Sequence, residues 1–240
     1  MAIEVFNRYE HKYMLDKETF KAVIDIVENH MEIDAHNENR KPYTIANIYY
    51  DTQDDHLIRT SLSKPEYKEK LRLRAYGVPQ KDSKVFLEIK KKYKGLVNKR
   101  RTKIELSEAY DFVETGNMPE GKGYMNEQVV KEIDYFIHMY NLKPKLYLAY
   151  DRIAYFEKGN ADLRISFDTN IRSRRYDVRL ENGDFGEELL CGEYYLMEIK
   201  TSYAKPLWLV DMLNTLNIKR QSFSKYGTEF KKNINKGLAV

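Results

Sequence analysis

The chain has 240 residues, 42% of them hydrophobic and 13% aromatic, enough to bury a core and too apolar for a disordered chain. Its 41 lysines and arginines against 37 acids leave a net charge of only +4, so any polyanion site must come from local sorting of charge rather than bulk excess. The single cysteine, Cys191, excludes an internal disulfide and fits a reducing, cytoplasmic setting; no run approaches the roughly 18 apolar residues of a membrane span, and the N-terminus lacks the apolar core of a signal peptide.

Residues 3 to 14 alternate as a first strand, and Asp16 then caps a helix over 17–31 with Phe20, Val23, Ile24 and Val27 on one face. A polar loop at 34–41 leads to an aromatic, β-branched strand at 43–51. Strands follow at 67–76, 84–92 and 96–106, the last two joined as a hairpin through Lys94-Gly95. Gly116, Pro119, Gly121 and Gly123 mark a loop over 114–124, and Val129, Val130, Ile133, Phe136 and Ile137 a helix over 126–140. A second hairpin, 145–157 with 162–171, turns at Gly159-Asn160, and 193–201 is a further strand. Pro206 opens a helix to 216, and 224–236 is a last one. No linker divides the chain, so residues 1–240 read as a single domain.

Two distant strands share one tetrad, Leu87-Glu88-Ile89-Lys90 and Met197-Glu198-Ile199-Lys200. Leu71-Arg72-Leu73-Arg74 uses the same alternation with two bases, and Arg8-Tyr9-Glu10-His11-Lys12 repeats it near the start. Strand side chains alternate between faces, so these segments put charge on one surface and Leu, Ile or Met on the other. Lys12, Arg72, Arg74, Lys90, Arg164 and Lys200 share the charged face; Arg152 and one or two of Lys99, Arg100 and Arg101 join them. An antiparallel sheet of about eight such strands has two solutions: the charged face is solvated, or the sheet curls so that charge lines a tunnel and helices cover the apolar exterior. Guanidinium forks match phosphate oxygens, so a phosphate chain is the natural guest. The acids Glu10, Glu88 and Glu198 either neutralise neighbours or hold Mg²⁺ or Mn²⁺ together with substrate phosphates, Glu198 being the best metal candidate.

The ordered set RYEHKY at 8–13, IYYDT at 48–52, LRLRAY at 71–76, LEIK at 87–90, NKRR at 98–101, YDRIAY at 150–155, LRISFD at 163–168, YLMEIK at 195–200 and FSKYG at 223–227 resembles the polyphosphate polymerase domain of the vacuolar transporter chaperone (VTC) family, within the triphosphate tunnel metalloenzymes. The resemblance spans nearly the whole chain. It implies an α+β fold, a closed antiparallel β-barrel tunnel with helices packed outside, whose walls grip ATP or polyphosphate. Carried over by position, Lys12, Arg72, Arg74, Lys90, Arg152, Arg164, Lys200 and Lys225 contact phosphates, with Lys99 or Arg101 as a further contact. Glu198 holds the Mn²⁺ or Mg²⁺. Lys225 rests on the resemblance alone, since by itself it reads as an exposed lysine at a helix start.

The implied activity is transfer of the ATP γ-phosphate to a growing polyphosphate chain. Hydrolases of the superfamily open with Glu-x-Glu-x-Lys, whereas the first acid position here is Arg8. A terminal phosphate oxygen is largely ionised near neutral pH and needs no carboxylate to activate it, so this loss favours phosphate over water as acceptor. A tripolyphosphatase or nucleoside triphosphatase, and a non-catalytic polyphosphate sensor, are the alternatives. Scattered tyrosines and the lack of an arginine-rich arm argue against nucleic acid. Eukaryotic relatives carry membrane segments and a regulatory domain not found in this sequence, so no coupling to transport is implied, although a membrane partner is compatible with it; oligomeric state is left open. His11, His30, His36, His56 and His138 lack ligand spacing and read as structural or exposed, and Trp208 as core packing.

Overall fold

The structure is a computed structural model that describes residues 5–94, 96–190 and 192–237, with the side chains of 5–8, 38, 160 and 161 set aside. The expectations for residues 3 and 4, for Gly95 and Cys191, and for the Arg8 side chain lie outside the described residues.

In chain order the elements are β1 (Val5–Leu15), α1 (Lys17–His30), β2 (Met31–Ile33), β3 (Tyr43–Asp51), α2 (His56–Leu62), β4 (Tyr67–Tyr76), β5 (Lys84–Tyr93), β6 (Leu96–Glu105), α3 (Leu106–Thr115), α4 (Glu127–Tyr140), β7 (Lys143–Glu157), β8 (Asn160–Arg174), β9 (Glu187–Glu188), β10 (Tyr195–Thr201), α5 (Leu207–Thr215) and α6 (Lys225–Asn235). Asp16 caps α1 as expected, accepting from the Thr19 backbone N–H at 2.8 Å. The expected strands and helices are present, and β2, α2, α3 and β9 are additions to them.

All ladders are antiparallel, in the order β2-β7-β3-β4-β5-β6-β1-β10-β8-β9. The long β7–β8 ladder joins the two flanks, so eight of the ten strands form a continuous circuit and only the short β2 and β9 stand outside it. The sheet therefore curls into the tunnel alternative rather than lying half-solvated.

Alternation then dictates an inverted barrel, with apolar side chains facing out. Leu71, Leu73, Leu87, Ile89 and Ile104 pack under α3 and α4. Tyr13, Leu15, Ile165, Phe167, Met197 and Ile199 pack under α1 and α5. Leu146 and Leu148 depart from this pattern: they share the inward face of β7 with Tyr150 and Arg152 and pack there against Ile58 of α2 and Tyr226 and Phe230 of α6. Trp208 packs against the second cluster as expected, its ring stacked on His30 at 4.5 Å.

Candidate functional site: a basic tunnel

The inward face encloses a cavity of about 1150 Å³, at or above the upper end of ordinary ligand pockets. Every base singled out in the sequence lines it: Lys12 on β1, Arg72 and Arg74 on β4, Lys90 on β5, Lys99 and Arg101 on β6, Arg152 on β7, Arg164 on β8, Lys200 on β10 and Lys225 at the start of α6. The open choice on β6 resolves by parity, because Arg100 points the other way and pairs with Glu132 of α4 at 2.8 Å.

The acids fall into three settings. Glu88 is fully buried: Arg72 Nη2 lies 2.6 Å and Nε 2.8 Å from its Oε2, and Lys99 Nζ lies 3.2 Å from its Oε1. Burial opposes its ionisation, and Lys99, Arg72 and Arg74 outweigh that and hold the carboxyl well below its usual range. Glu88 is not among the residues that line the cavity, and both its oxygens are engaged, with Arg72 and Lys99.

Glu198 and Glu10 do line the cavity, from the paired strands β10 and β1. Glu198 sits 3.2 Å from Lys12, 3.1 Å from Lys200 and 3.7 Å from Lys225. Glu10 sits 2.9 Å from Lys90. Burial of Glu10 is outweighed by Lys90 and Lys200, which bring it down to about 2; the Glu198 carboxyl is lowered well below its usual range by Lys12, Lys200 and Lys225 against its burial. Among the described residues no group of three His, Cys, Asp or Glu side chains could cage a metal. Two ionised carboxylates facing a basic cavity instead fit a divalent ion that completes its shell with phosphate oxygens and water.

Lys225 is buried rather than exposed. Its Nζ lies 2.5 Å from Asp168 Oδ2 and 4.3 Å from the centre of the Tyr150 ring. A cation at a helix N-terminus opposes the helix dipole, and Asp168 offsets this. Asp168 also takes Arg152 through two bonds, Nε at 2.6 Å and Nη2 at 2.8 Å. The Ser224 hydroxyl caps α6 by accepting from the Gly227 N–H at 3.2 Å. A Cβ on Gly227 would lie 3.0 Å from Leu62 Cδ2, so glycine there lets α6 approach α2 closely and fixes where Lys225 enters. The buried Asp51 carboxylate anchors both helices, accepting from the Leu57 and Ile58 N–H groups at 2.8 and 2.9 Å and from the Tyr226 hydroxyl at 3.1 Å.

Sequence reasoning missed other parts of the lining. Lys68 and Lys70 continue the alternation of Arg72 and Arg74, and Lys92 continues Glu88 and Lys90; the period-two signal was there to be extended. Among the described residues none of these three lysines forms an ion pair with a carboxylate. Burial first, with Lys90, Lys68 and Lys12 adding to it against Tyr49, pulls the Lys70 ammonium down to about 8. Lys200 falls to about 8 through burial, against Glu198 and Glu10. Tyr49 and Tyr150 donate no charge but brace the guanidinia, their hydroxyls 3.3 Å from Arg72 and 3.1 Å from Arg74. Among the described residues the buried Arg164 Nε has no hydrogen-bond partner. His36 also lines the cavity, from the loop after β2.

The closed β-barrel thus carries its cations inside and most of its apolar residues outside. The solved structures share the fold. A putative adenylate cyclase from Bacillus halodurans matches at TM-score 0.58 and 17% identity, covering 92% of this chain and 96% of its own. A putative adenylyl cyclase from Hippeastrum, described as having a dominant triphosphatase activity, matches at TM-score 0.52 and 15% identity, covering 99% and 98%. The VTC domain model matches residues 7–233, and the chain belongs to the VTC domain family. Similar curated proteins are two named vacuolar transporter chaperone complex subunit 4. The Schizosaccharomyces pombe protein is 26% identical over 92% of this chain and 36% of its own length. The Trypanosoma brucei brucei protein is 24% identical over 93% and 34%. The chain thus spans about a third of the length of these relatives.

Proposed function

We propose that this chain is a polyphosphate polymerase that transfers the γ-phosphoryl group of ATP to the end of an inorganic polyphosphate chain, with Mg²⁺ or Mn²⁺ held by Glu198 and Glu10. The observation that carries this reading is the run of inward bases along β4, Arg74, Arg72, Lys70 and Lys68, in a cavity whose facing carboxylates are already tied to lysines. Membership of the VTC domain family and the names of the similar proteins support it.

A terminal polyphosphate oxygen attacks the γ-phosphorus of ATP, the bond from that phosphorus to the β,γ-bridging oxygen breaks, and ADP leaves while the chain grows by one unit. Such transfer asks the protein for alignment and charge stabilisation rather than covalent chemistry. Arg72, Arg74, Lys90 and Lys200 surround the transferred group and offset its charge, while Lys12, Lys99, Arg101, Arg152, Arg164 and Lys225 hold the flanking phosphates. Glu198 and Glu10 would hold a divalent ion, which would supply positive charge to offset that of the phosphates. A carboxylate held near a pKa of about 2, as Glu10 is, makes a poor base for water, whereas an ionised phosphate needs none.

Product analysis tests the reading. Purified protein incubated with ATP and either metal yields long chains that stain for polyphosphate on electrophoresis. Release of orthophosphate without polymer identifies a hydrolase, and tight binding without turnover identifies a sensor.

A further inference from the structure

The two ends of the basic run on β4 are unlike. Beyond Arg74 the strand ends in Tyr76, which is 46% exposed and lines the cavity. Around it stand His36, its ring roughly parallel at 5.9 Å, and Tyr43 at 6.0 Å, while His36 and Tyr43 are themselves 5.9 Å apart. All three rings line the cavity, and Phe86 braces Tyr76 edge-on at 5.9 Å. Here too is Asp34, whose Oδ2 takes Arg164 Nη2 at 3.1 Å and whose Oδ1 accepts from the His36 N–H at 3.1 Å. At the other end the lining is cationic: Lys68 stands opposite Lys92 in the ladder, burial and then Lys92 lower the Lys68 ammonium, and Lys70 follows them inward.

A phosphate chain has no use for a cluster of rings, but a nucleoside does, because every base offers a face for stacking. We propose that His36, Tyr43 and Tyr76 seat the nucleobase of the donor, with Asp34 beside them as acceptor for ribose hydroxyls, so that the triphosphate enters γ-end first. The inference rests on the reading above that the donor is a nucleoside triphosphate. Each two-residue step along β4 advances roughly 7 Å, so a base at Tyr76 leads its phosphates past Arg74 toward Arg72. The growing chain then meets the γ-phosphate from the Lys70 and Lys68 side, which gives the in-line approach that phosphoryl transfer needs. The tunnel is directional: nucleotide at the ring end, polymer at the lysine end.

Calorimetric titration with the β,γ-imido analogue of ATP and, separately, with inorganic tripolyphosphate tests this without turnover. Tyr76→Ala is expected to weaken the analogue about tenfold while tripolyphosphate stays within about twofold, and Tyr76→Phe is expected to bind like the parent. His36→Ala, in an exposed loop residue, should show the same split and guards against a folding defect in the tyrosine variant. Equal losses for both ligands, or no loss for the analogue, overturn the nucleobase seat while leaving the phosphate tunnel in place. Parent protein that binds tripolyphosphate but not the analogue also overturns it. Failure to bind either ligand brings down the tunnel reading, and this proposal with it.

Discussion

Lys70 stands among like-charged neighbours, half-buried and, among the described residues, without a carboxylate partner, and is held near a pKa of about 8 by burial and by Lys90, Lys68 and Lys12. A lysine that binds its proton less tightly in the fold than in the unfolded chain makes the free protein more stable as pH rises from about 8 toward the ordinary lysine value of about 10.4. A bound phosphate chain does the opposite, since it favours the charged ammonium and draws a proton in. Tripolyphosphate affinity should therefore fall as pH is raised from about 7 to about 9, with proton uptake on binding near pH 8, read by calorimetry in buffers of different ionisation enthalpy. Lys70→Met should reduce that uptake and weaken binding about tenfold, in line with loss of one charge-assisted contact. Uptake unchanged in the variant would contradict the role given to Lys70. At this scale the site was largely legible, because a base two residues from another base on a strand must share its face. What sequence alone could not separate is Glu88 from Glu198: both sit in Glu-x-Lys tetrads, and only the register of β4 and β6 against β5 shows that Arg72 and Lys99 enclose Glu88.

Among the elements, α6 carries the residue that sequence logic would have left in solvent. Its close approach to α2 depends on Gly227, where added side-chain atoms run into Leu62. Gly227→Val is expected to destabilise the protein by about 1–3 kcal/mol through overpacking and to lower turnover by displacing Lys225. A thermal melt with a turnover assay checks this; unchanged melting and full activity would show that the helix contact does not set the position of Lys225. The helix α2 itself escaped sequence reading because seven residues hold too few turns for periodicity to show. In α3 the signal was present, with Leu106, Ala109, Phe112 and Val113 at helical spacing on the buried side, but it lay between a strand and a glycine-rich loop. The strands β2 and β9, at three and two residues, exist only through the long neighbours they pair with.

For the whole molecule, the inverted polarity of the barrel ties fold to function. Alternating charged and apolar residues suit a half-solvated sheet equally well, and what decides between the two is the long β7–β8 ladder that closes the circuit. Each half of that hairpin was visible in the sequence; their pairing with β3 and β10 on the outer edges was not, since it depends on contacts between residues roughly a hundred positions apart on one side. Closure turns two faces into an inside and an outside, and neighbouring residues of β6 then have opposite fates. Arg101 lines the tunnel, while Arg100 pairs with Glu132 beneath α4.

The most direct measurement uses that one-residue contrast, following label from γ-³²P-ATP into polyphosphate for the parent chain and for Arg100→Ala, Arg101→Ala, Arg74→Ala and Lys200→Ala. Label should enter long chains in the parent, persist within about threefold in Arg100→Ala, and fall about a hundredfold in Arg74→Ala and Lys200→Ala, with a smaller loss in Arg101→Ala. Label that never leaves the mononucleotide or orthophosphate pool, or an Arg100→Ala loss as large as that of Lys200→Ala, would contradict polymer synthesis inside the tunnel.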